Sequence, residues 1–250
     1  MIEVTSLRKV FPGPTPREPE IVAVDDVSFQ VPAGQTLCLI GTSGSGKTTT
    51  MKMINRLIEP SGGTIRIGGE DVMAQDPIQL RRRIGYVIQK GGLFPHMTVG
   101  RNVTMPCELV GWDADRRRRR ADTLLAMVNL DPDEFRDRHP RSLSGGQRQR
   151  VGVARALAME PDYILMDEPF GALDPITRGK LHREFQALTK RLNKTIILVT
   201  HDMAEAFALG DQVALMHGGA LVQIGTEEDF RQRPADDFVV RFLDLQEGGP

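Results

Sequence analysis

The sequence predicts an α/β protein whose core is a largely parallel sheet with helices on its faces. Short apolar runs of strand length, such as YILM and TIILV, alternate with segments of helical spacing. The stretch from about Val99 to Met159 has a helical pattern and no strand pattern. The closing segment DQVALMHGGALVQIGT places Gly218 and Gly219 between two alternating runs, which is typical of a hairpin. The predicted order is therefore strands, a helical insert, and strands again.

The elements outside the insert follow from local patterns. IEVTSL and IVAVDDVSFQV indicate strands, and the four prolines of PGPTPREPE between them indicate a loop. QTLCLI predicts a short buried strand that enters a glycine-rich turn, and KTTTMKMINRL continues from this turn with helical spacing. GTIRIGG and IGYVIQ predict two further strands. After the insert, YILMDE and TIILVTH are predicted buried strands, separated by the predicted helix PITRGKLHREFQALTKRL.

Composition and charge limit the possible functions. The 250 residues are 40% apolar, 26% charged and carry a net charge of -1, as expected of a globular protein that does not bind nucleic acid. The arginine run Arg116–Arg120 fits a solvated helix start capped by Asp113 better than a nucleic-acid or lipid site. The two cysteines, Cys38 and Cys107, give no disulfide framework and indicate a reducing compartment. The N-terminus lacks the apolar core of a signal peptide, and no apolar run reaches the ~20 residues that span a bilayer.

The turn GTSGSGKT fits the pattern G-x-x-x-x-G-K-[ST] between a predicted strand and a predicted helix. Its glycines allow backbone N–H groups to surround phosphate oxygens at the positive end of a helix. Lys47 supplies a charge for the β- and γ-phosphates, and the Thr48 hydroxyl can reach Mg²⁺. The turn therefore predicts binding of ATP with Mg²⁺. The predicted binding residues are Gly41, Ser43, Gly44, Ser45, Gly46, Lys47, Thr48 and Thr49.

Four polar residues at the ends of predicted strands are further candidates for binding and hydrolysing ATP. Because neighbouring strand residues point to opposite faces, Asp167 and Glu168 are predicted to differ in role. Asp167 would reach Mg²⁺, and Glu168 would orient the attacking water. His201 can donate a hydrogen bond to the γ-phosphate, and Gln89 can bind Mg²⁺ through its amide oxygen and sense the γ-phosphate. Taken one at a time, these residues also fit ordinary structural roles at strand ends and on the surface.

The stretch SLSGGQ predicts a second anion site at the start of the helical run GQRQRVGVARALAM. Ser144 and Gln147 have the spacing of a capping box, while Gly145 and Gly146 remove side chains where a ligand approaches the backbone. The resulting helix N-terminus favours an anion. Since one turn already binds the phosphates, we expect two copies related by a twofold axis, each presenting LSGGQ to the nucleotide of the other.

Taken together, the motifs resemble those of the ATP-binding subunit of an ABC transporter over nearly the whole chain. The motifs are GTSGSGKT, Gln89, LSGGQ, YILMDE, ALD at 172–174 and TH at 200–201. The resemblance implies a P-loop NTPase of the ABC type, with a mostly parallel core sheet, an N-terminal antiparallel β subdomain and an inserted helical subdomain. It implies one ATP-binding domain over 1–243, with its core in 1–89 and 161–243, a helical subdomain at about 90–160 and a tail at 244–250.

The resemblance also implies an ATPase coupled to transport, with Glu168, His201, Lys47 and Gln89 as catalytic residues. It assigns Asp174 to a loop that crosses the dimer interface. The implied partners are a second copy or close paralogue, permease subunits in the membrane and, indirectly, a solute-binding protein. The implied location is the cytoplasmic side of the membrane, with attachment through the permease.

The chain departs from the family pattern at two positions. Phe11 stands where Tyr usually forms the platform for adenine, and it can stack equally well because stacking uses the ring face. The proline-rich loop that follows it is longer than the family pattern leads us to expect. Gly171 precedes ALD where Ser is frequent, which removes no catalytic group.

Two stretches, MKMINRLIEPSGGTI and VIQKGGLFPHMTVGRNV, are similar to importers of quaternary amines such as glycine betaine, choline and carnitine. The resemblance implies that Gly92–Val99 helps to form a docking groove for a permease helix. Many such subunits continue into a pair of CBS modules. Because this sequence ends about fifty residues after His201, we expect no such modules here.

Other functions within the ABC group fit the sequence less well. Soluble repair and chromosome ATPases have long insertions between the positions of Lys47 and Leu143, and ribosome-acting members have two cassettes. Glu168 and His201 argue against a clamp that does not hydrolyse ATP. Export instead of import stays open from the sequence alone, as do other small solutes such as polar amino acids and sulfonates.

Overall fold

The computed structural model describes residues 1–13, 15, 19–88, 92–170 and 175–247. The strands of these residues are β1 (Ile2–Phe11), β2 (Ile21–Val31), β3 (Thr36–Gly41), β4 (Gly62–Ile67), β5 (Glu70–Asp71), β6 (Ile84–Val87), β7 (Tyr163–Asp167), β8 (Thr195–Val199), β9 (Gln212–His217) and β10 (Ala220–Gly225). The α-helices are α1 (Lys47–Ile54), α2 (Pro77–Arg82), α3 (Val99–Leu109), α4 (Ala114–Met127), α5 (Pro132–Phe135), α6 (Gly145–Ala156), α7 (Pro175–Leu192), α8 (Met203–Leu209), α9 (Glu227–Gln232) and α10 (Asp237–Glu247).

Two compact units make up the chain, the first formed by Met1–Leu80 with Thr195–Pro250 and the second by Arg81–Lys194. The domain division implied by the resemblance, with its core in 1–89 and 161–243, stays a prediction. Within the described residues, none of the helices combines the length and the apolar character that a membrane span requires.

The first unit contains an antiparallel sheet in the order β2-β1-β4-β5. It also contains the strands β10-β9-β3-β8, in which β3 pairs in parallel with both β8 and β9. The predicted glycine hairpin is confirmed, because His217 pairs with Ala220 across Gly218 and Gly219 in an antiparallel arrangement.

Strand β3 leads directly to the predicted phosphate turn. All six of its residues are buried, as expected of a strand with parallel neighbours on both sides. Leu39 lies opposite Val199 of β8 and Ala214 of β9. The strand ends at Gly41, and α1 begins at Lys47, so the glycine turn leaves the carboxyl edge of the sheet.

The second unit joins the parallel pair β6 and β7 to helices α3–α7. The expectation of a helical stretch from Val99 is confirmed by α3, α4, α5 and α6. Asp113 caps α4 as predicted, since its side chain accepts a hydrogen bond from the Arg116 N–H at 2.8 Å.

Three of the five consecutive arginines in α4 make contacts within the second unit. The guanidinium of Arg116 lies 3.5 Å from the ring centroid of Trp112, and Arg117 pairs with Glu108. Arg120 donates hydrogen bonds to the carbonyls of Leu157 and Ala158, just after the end of α6. These contacts support the structural interpretation of the run, because cations at a helix C-terminus are stabilising.

Candidate nucleotide site

The turn between β3 and α1 has a backbone that only glycine adopts readily at three positions. Gly41, Gly44 and Gly46 have φ values of +143°, +77° and +95°. A Cβ atom at Gly41 would lie 2.1 Å from the carbonyl oxygen of Met216, and one at Gly46 would lie 2.5 Å from that of Ala23. Neighbouring backbone therefore encloses two of the glycines, while Gly44 has open space around it.

Lys47 occupies the centre of this turn. Its ammonium donates hydrogen bonds to the carbonyls of Gly41 and Thr42, both at 2.8 Å, and to Ser45 Oγ at 3.2 Å. Lys47 and Ser45 are buried, whereas 42–44 are exposed. A buried cation, the N-terminus of α1 and an open outer face together fit a phosphate group.

His201 follows the strand next to β3. Because β3 and β8 are parallel neighbours, Gly41 and His201 leave the same edge of the sheet. His201 is exposed at this edge. The structure therefore places the phosphate turn and His201 at one edge, as predicted, and the contact of His201 with the γ-phosphate stays a prediction.

Buried hydrogen bonds fix the turn that carries His201. Thr200 Oγ1 donates to Glu205 Oε2 at 2.9 Å and accepts from the Asp202 N–H at 3.1 Å. Asp202 caps α8 by accepting from the Glu205 N–H at 3.0 Å. The sequence prediction missed this arrangement, although the spacing of Asp202 and Glu205 is that of a helix cap with an acidic third residue.

The acidic pair lies in the second unit at the end of β7. Asp167 is the last residue of the strand and is buried. Glu168 is half-buried, and its φ of +45° lies in the left-handed region. The backbone therefore turns at Glu168, directly after the strand ends at Asp167. A left-handed residue other than glycine is strained, and such residues cluster at functional sites.

Tyr86 of β6 is a neighbour of this pair that the sequence prediction missed. It lies opposite Leu165 in the parallel pairing of β6 with β7. Burial, and next the charge of Asp167, raise the pKa of Tyr86 to about 12. The charge of Asp167 contributes to this raised pKa although Tyr86 lies on the neighbouring strand.

The predicted second anion site has the predicted local geometry. Ser144 is an exposed N-cap of α6, with its Oγ accepting from the Gln147 N–H at 3.2 Å. The Gln147 side chain accepts in return from the Ser144 N–H at 2.8 Å, so the capping box is confirmed. Gly145 and Gly146 form the first turn of α6.

The remaining candidate residues lie at the end of β1, in the phosphate turn and in the first turn of α1, or outside the described residues. Phe11 ends β1, is half-buried and has the Lys9 ammonium 5.0 Å from its ring centroid. Ser43 is exposed in the phosphate turn, and Thr48 and Thr49 lie half-buried in the first turn of α1. Gln89, Gly171 and Asp174 lie outside the described residues. The described residues contain no group of three His, Cys, Asp or Glu side chains that could bind a metal by themselves.

The segment expected to dock a permease is held by one buried side chain, which the sequence prediction also missed. Asn102 Oδ1 accepts from the Phe94 N–H at 2.7 Å. Its Nδ2 donates to the carbonyls of Phe94, Met97 and Thr98 at 3.0–3.2 Å. We call 94–98 the docking loop. Four hydrogen bonds from a fully buried amide fix this loop from within.

The strand, the glycine turn closed over a lysine, and the following helix define a P-loop nucleotide-binding protein. A family model described as "ABC transporter" matches residues 24–171. The chain belongs to the ABC transporter family.

Curated relatives come from one group of transport proteins. The choline transport ATP-binding protein OpuBA of Bacillus subtilis is 56% identical over 88% of this chain and 58% of its own length. The glycine betaine/carnitine/choline transport ATP-binding protein OpuCA of the same organism is 51% identical over 97% of this chain and 62% of its own length. The glycine betaine uptake system ATP-binding protein YehX of Escherichia coli is 47% identical over 100% of this chain and 78% of its own length. The chain thus spans about six tenths of the first two relatives, and the resemblance to the quaternary-amine group is confirmed.

Solved structures of the ATP-binding cassette MJ0796 are similar to the chain. One is a dimeric post-hydrolysis state bound to ADP and Pi, with a TM-score of 0.80, 32% identity and coverage of 90% of this chain and 98% of that chain. A second dimeric structure of the same cassette has a TM-score of 0.81 and 33% identity, with the same coverage. The predicted P-loop fold of the ABC type is confirmed.

Proposed function

We propose that this chain is the ATP-hydrolysing subunit of an ABC importer that takes up a quaternary amine such as glycine betaine or choline. The observation that carries the ATPase part is the turn closed over Lys47, with His201 at the same sheet edge. The solute class is supported by the names of the relatives, which refer to choline, glycine betaine and carnitine transport.

In this proposal, Lys47 and the backbone of the phosphate turn bind the β- and γ-phosphates, and Phe11 stacks on adenine. Thr48, Gln89 and Asp167 would hold Mg²⁺, which when bound offsets charge on the phosphate oxygens. A hydroxyl and a carboxylate are oxygen ligands of the kind that Mg²⁺ prefers.

Glu168 and His201 are assigned to the chemical step. Glu168 orients the attacking water and takes its proton, and the left-handed backbone at Glu168 turns the chain directly after Asp167. His201 donates a hydrogen bond to a γ-phosphate oxygen as negative charge develops there. The network around Thr200 fixes the backbone that presents His201.

Two copies, or one copy and a close paralogue, complete each other's sites. The capped N-terminus of α6 presents Ser144, Gly145, Gly146 and Gln147 to the nucleotide held by the partner copy. Asp174 contributes to the same interface. Permease subunits hold the dimer at the cytoplasmic face of the membrane, and a solute-binding protein acts through them.

The ATPase part is tested by comparing Glu168→Gln with the control Glu134→Gln, which removes an acid on the exposed face of α5. We expect Glu168→Gln to lower hydrolysis by about 10²–10⁴-fold, the range for loss of a positioned base. The control should hydrolyse ATP at the wild-type rate. Light scattering should show a dimer of Glu168→Gln in saturating Mg-ATP. Hydrolysis that survives in Glu168→Gln would remove this residue from the mechanism.

The transport part is tested by tagging Glu168→Gln and purifying it with Mg-ATP from gently solubilised membranes of its own cell. We expect mass spectrometry to identify a permease and a solute-binding protein. Calorimetry on that binding protein should show binding of glycine betaine or choline, with glutamine and taurine as controls. Preferential binding of either control would correct the solute class, and recovery of repair or ribosomal proteins alone would contradict transport.

A further inference from the structure

Phe11, the residue assigned to adenine, has a charged neighbour on its own strand. The Lys9 ammonium lies over the Phe11 ring, 5.0 Å from its centroid. Both residues belong to β1 in the first unit, and both are half-buried. An ammonium over an aromatic face is attracted by the negative charge of the π-system, which makes this a cation–π contact. A group of the protein itself therefore lies on one side of the ring.

A main-chain carbonyl fixes the Lys9 ammonium in this position. The ammonium donates a hydrogen bond to the carbonyl oxygen of Glu59 at 2.8 Å. Glu59 lies between α1 and β4, which belong to the same unit as β1. Because this acceptor belongs to the main chain, its position does not depend on the rotamer of an exposed side chain. The ammonium is thus held between the ring of Phe11 and the backbone of Glu59.

Further hydrogen bonds join the same two segments of the chain. The Val10 N–H donates to Ser61 Oγ at 3.1 Å, and the Ser61 N–H donates to the carbonyl of Arg8 at 2.8 Å. The backbone on both sides of Lys9 is therefore held against the segment that follows α1. Since α1 begins at the phosphate turn, Lys9 joins the aromatic ring to the element proposed to bind the phosphates.

Apolar surface next to Phe11 is open to a ligand. Ile21 of β2 lies opposite Phe11 in the antiparallel pairing, and 52% of its surface is exposed. Residues directly opposite each other on paired strands have side chains on the same face of the sheet. Phe11 and Ile21 therefore present adjoining apolar surface, of the kind on which a flat aromatic base can stack.

We propose that Lys9 is a positioning residue for the nucleotide base: its ammonium holds the Phe11 ring from one side, and adenine stacks on the other side. The proposal rests on the proposed function, because it concerns the ring assigned there to adenine. A ring at the end of a strand loses conformational freedom when a base stacks on it, and this loss lowers the affinity. The contact with Lys9 restrains the ring before the nucleotide arrives. Lys9 therefore raises the affinity for the base without contacting the phosphates.

Calorimetry with ADP and with inorganic pyrophosphate, each with Mg²⁺, tests the proposal in the full chain. ADP carries the base, and pyrophosphate does not. Lys9→Met keeps an unbranched side chain but removes the charge. We expect Lys9→Met to bind ADP about two- to fivefold more weakly, the range for an exposed cation–π contact. Its affinity for pyrophosphate should stay at the wild-type value, because pyrophosphate does not contact the ring.

Two further variants separate the charge of Lys9 from the folding of β1. Lys9→Arg keeps a cation over the ring and should retain most of the affinity for ADP. Arg8→Met removes the neighbouring cation, which pairs with Asp25, and should bind ADP like the wild type. Equal losses of ADP and pyrophosphate binding in Lys9→Met would overturn the proposal, since they would show a structural role. A loss in Lys9→Arg as large as that in Lys9→Met would overturn it too.

A double variant shows whether Lys9 acts through Phe11. Phe11→Leu alone should weaken ADP binding at least about fivefold, the lower end of the effect of losing a stacked base. In this background, Lys9→Met should cause no further loss, because the ring that Lys9 restrains is absent. A further loss would show that Lys9 contacts the nucleotide by another route, and the positioning role would be wrong.

Failure of the proposed function gives a different set of results. If Phe11→Leu binds ADP as tightly as the wild type, the base does not stack on Phe11, and the assignment of adenine to this ring fails. If the wild-type chain binds neither ADP nor pyrophosphate, the nucleotide site itself is refuted. Wild-type affinity of Lys9→Met for ADP, together with weakened binding by Phe11→Leu, refutes the role of Lys9 alone.

Discussion

Gly46 offers the sharpest test of the phosphate turn, because both its backbone and its surroundings exclude a side chain. In Gly46→Ala the new Cβ would lie 2.5 Å from the Ala23 carbonyl oxygen and 3.2 Å from Val24 Cγ2. Non-bonded carbon and oxygen atoms approach to about 3.3 Å, so the turn and β2 would have to separate by about 0.8 Å. We expect about 1–2 kcal/mol from the left-handed backbone and about 1–3 kcal/mol from overpacking. The free energy of unfolding should fall by about 2–5 kcal/mol in total.

Gly44→Ala is the matched control. Its φ of +77° carries a similar backbone penalty, but no atom lies within 4 Å of the new Cβ. Urea unfolding should therefore show a loss of only about 1–2 kcal/mol. Titration with a fluorescent ATP analogue should show at least tenfold weaker binding by Gly46→Ala, because its turn is displaced. Equal losses of stability in the two variants would refute the reasoning, since they would show that contact with β2 has no cost.

Three further predictions concern the second unit. Glu168→Gly and Glu168→Gln should both lose hydrolysis of ATP. The Gly variant should resist urea better than the Gln variant, by about 1 kcal/mol, because glycine relieves the strain of the left-handed backbone. A Gly variant that is less stable than the Gln variant would contradict this. Asn102→Asp replaces an amide that donates to three carbonyls by a buried carboxylate that can only accept. The free energy of unfolding should fall by about 3 kcal/mol or more. A loss below about 1 kcal/mol would contradict the role given to this amide. In Tyr163→Phe, absorbance titration should show Tyr86 ionising near pH 12, and adding Asp167→Asn should lower that pKa. Because the pKa of Tyr86 is raised from 10.0, its contribution to stability is complete below pH 10 and is lost as the pH rises towards 12.

Features that depend on neighbouring residues were predictable from the sequence. The hairpin at Gly218 and Gly219, the capping box of Ser144 and the cap at Asp113 each follow from the residues of one turn. The helix predicted over PITRGKLHREFQALTKRL is α7, Pro175–Leu192, with the predicted bounds. Such features form because local hydrogen bonding and side-chain spacing favour them before any distant contact is made.

Features that depend on distant contacts were not predictable. The Arg120 guanidinium donates hydrogen bonds to carbonyls 37 and 38 residues further along the chain. No local sequence pattern predicts hydrogen bonds over such a distance. Asn102 looks like an ordinary helical residue until the docking loop folds over it. Tertiary packing decides both.

The hydrogen bonds of Asn102 order the docking loop before any partner binds. Fixing the backbone of one residue costs about 1–2 kcal/mol of conformational entropy, and here that cost is met when the subunit folds. A partner that collides with the docking loop would therefore find its binding surface already assembled. The Phe94 amide, although it lies in a partly exposed loop, should exchange its hydrogen as slowly as a helical amide. Slow exchange at Phe94 would show that the loop is ordered before any partner arrives.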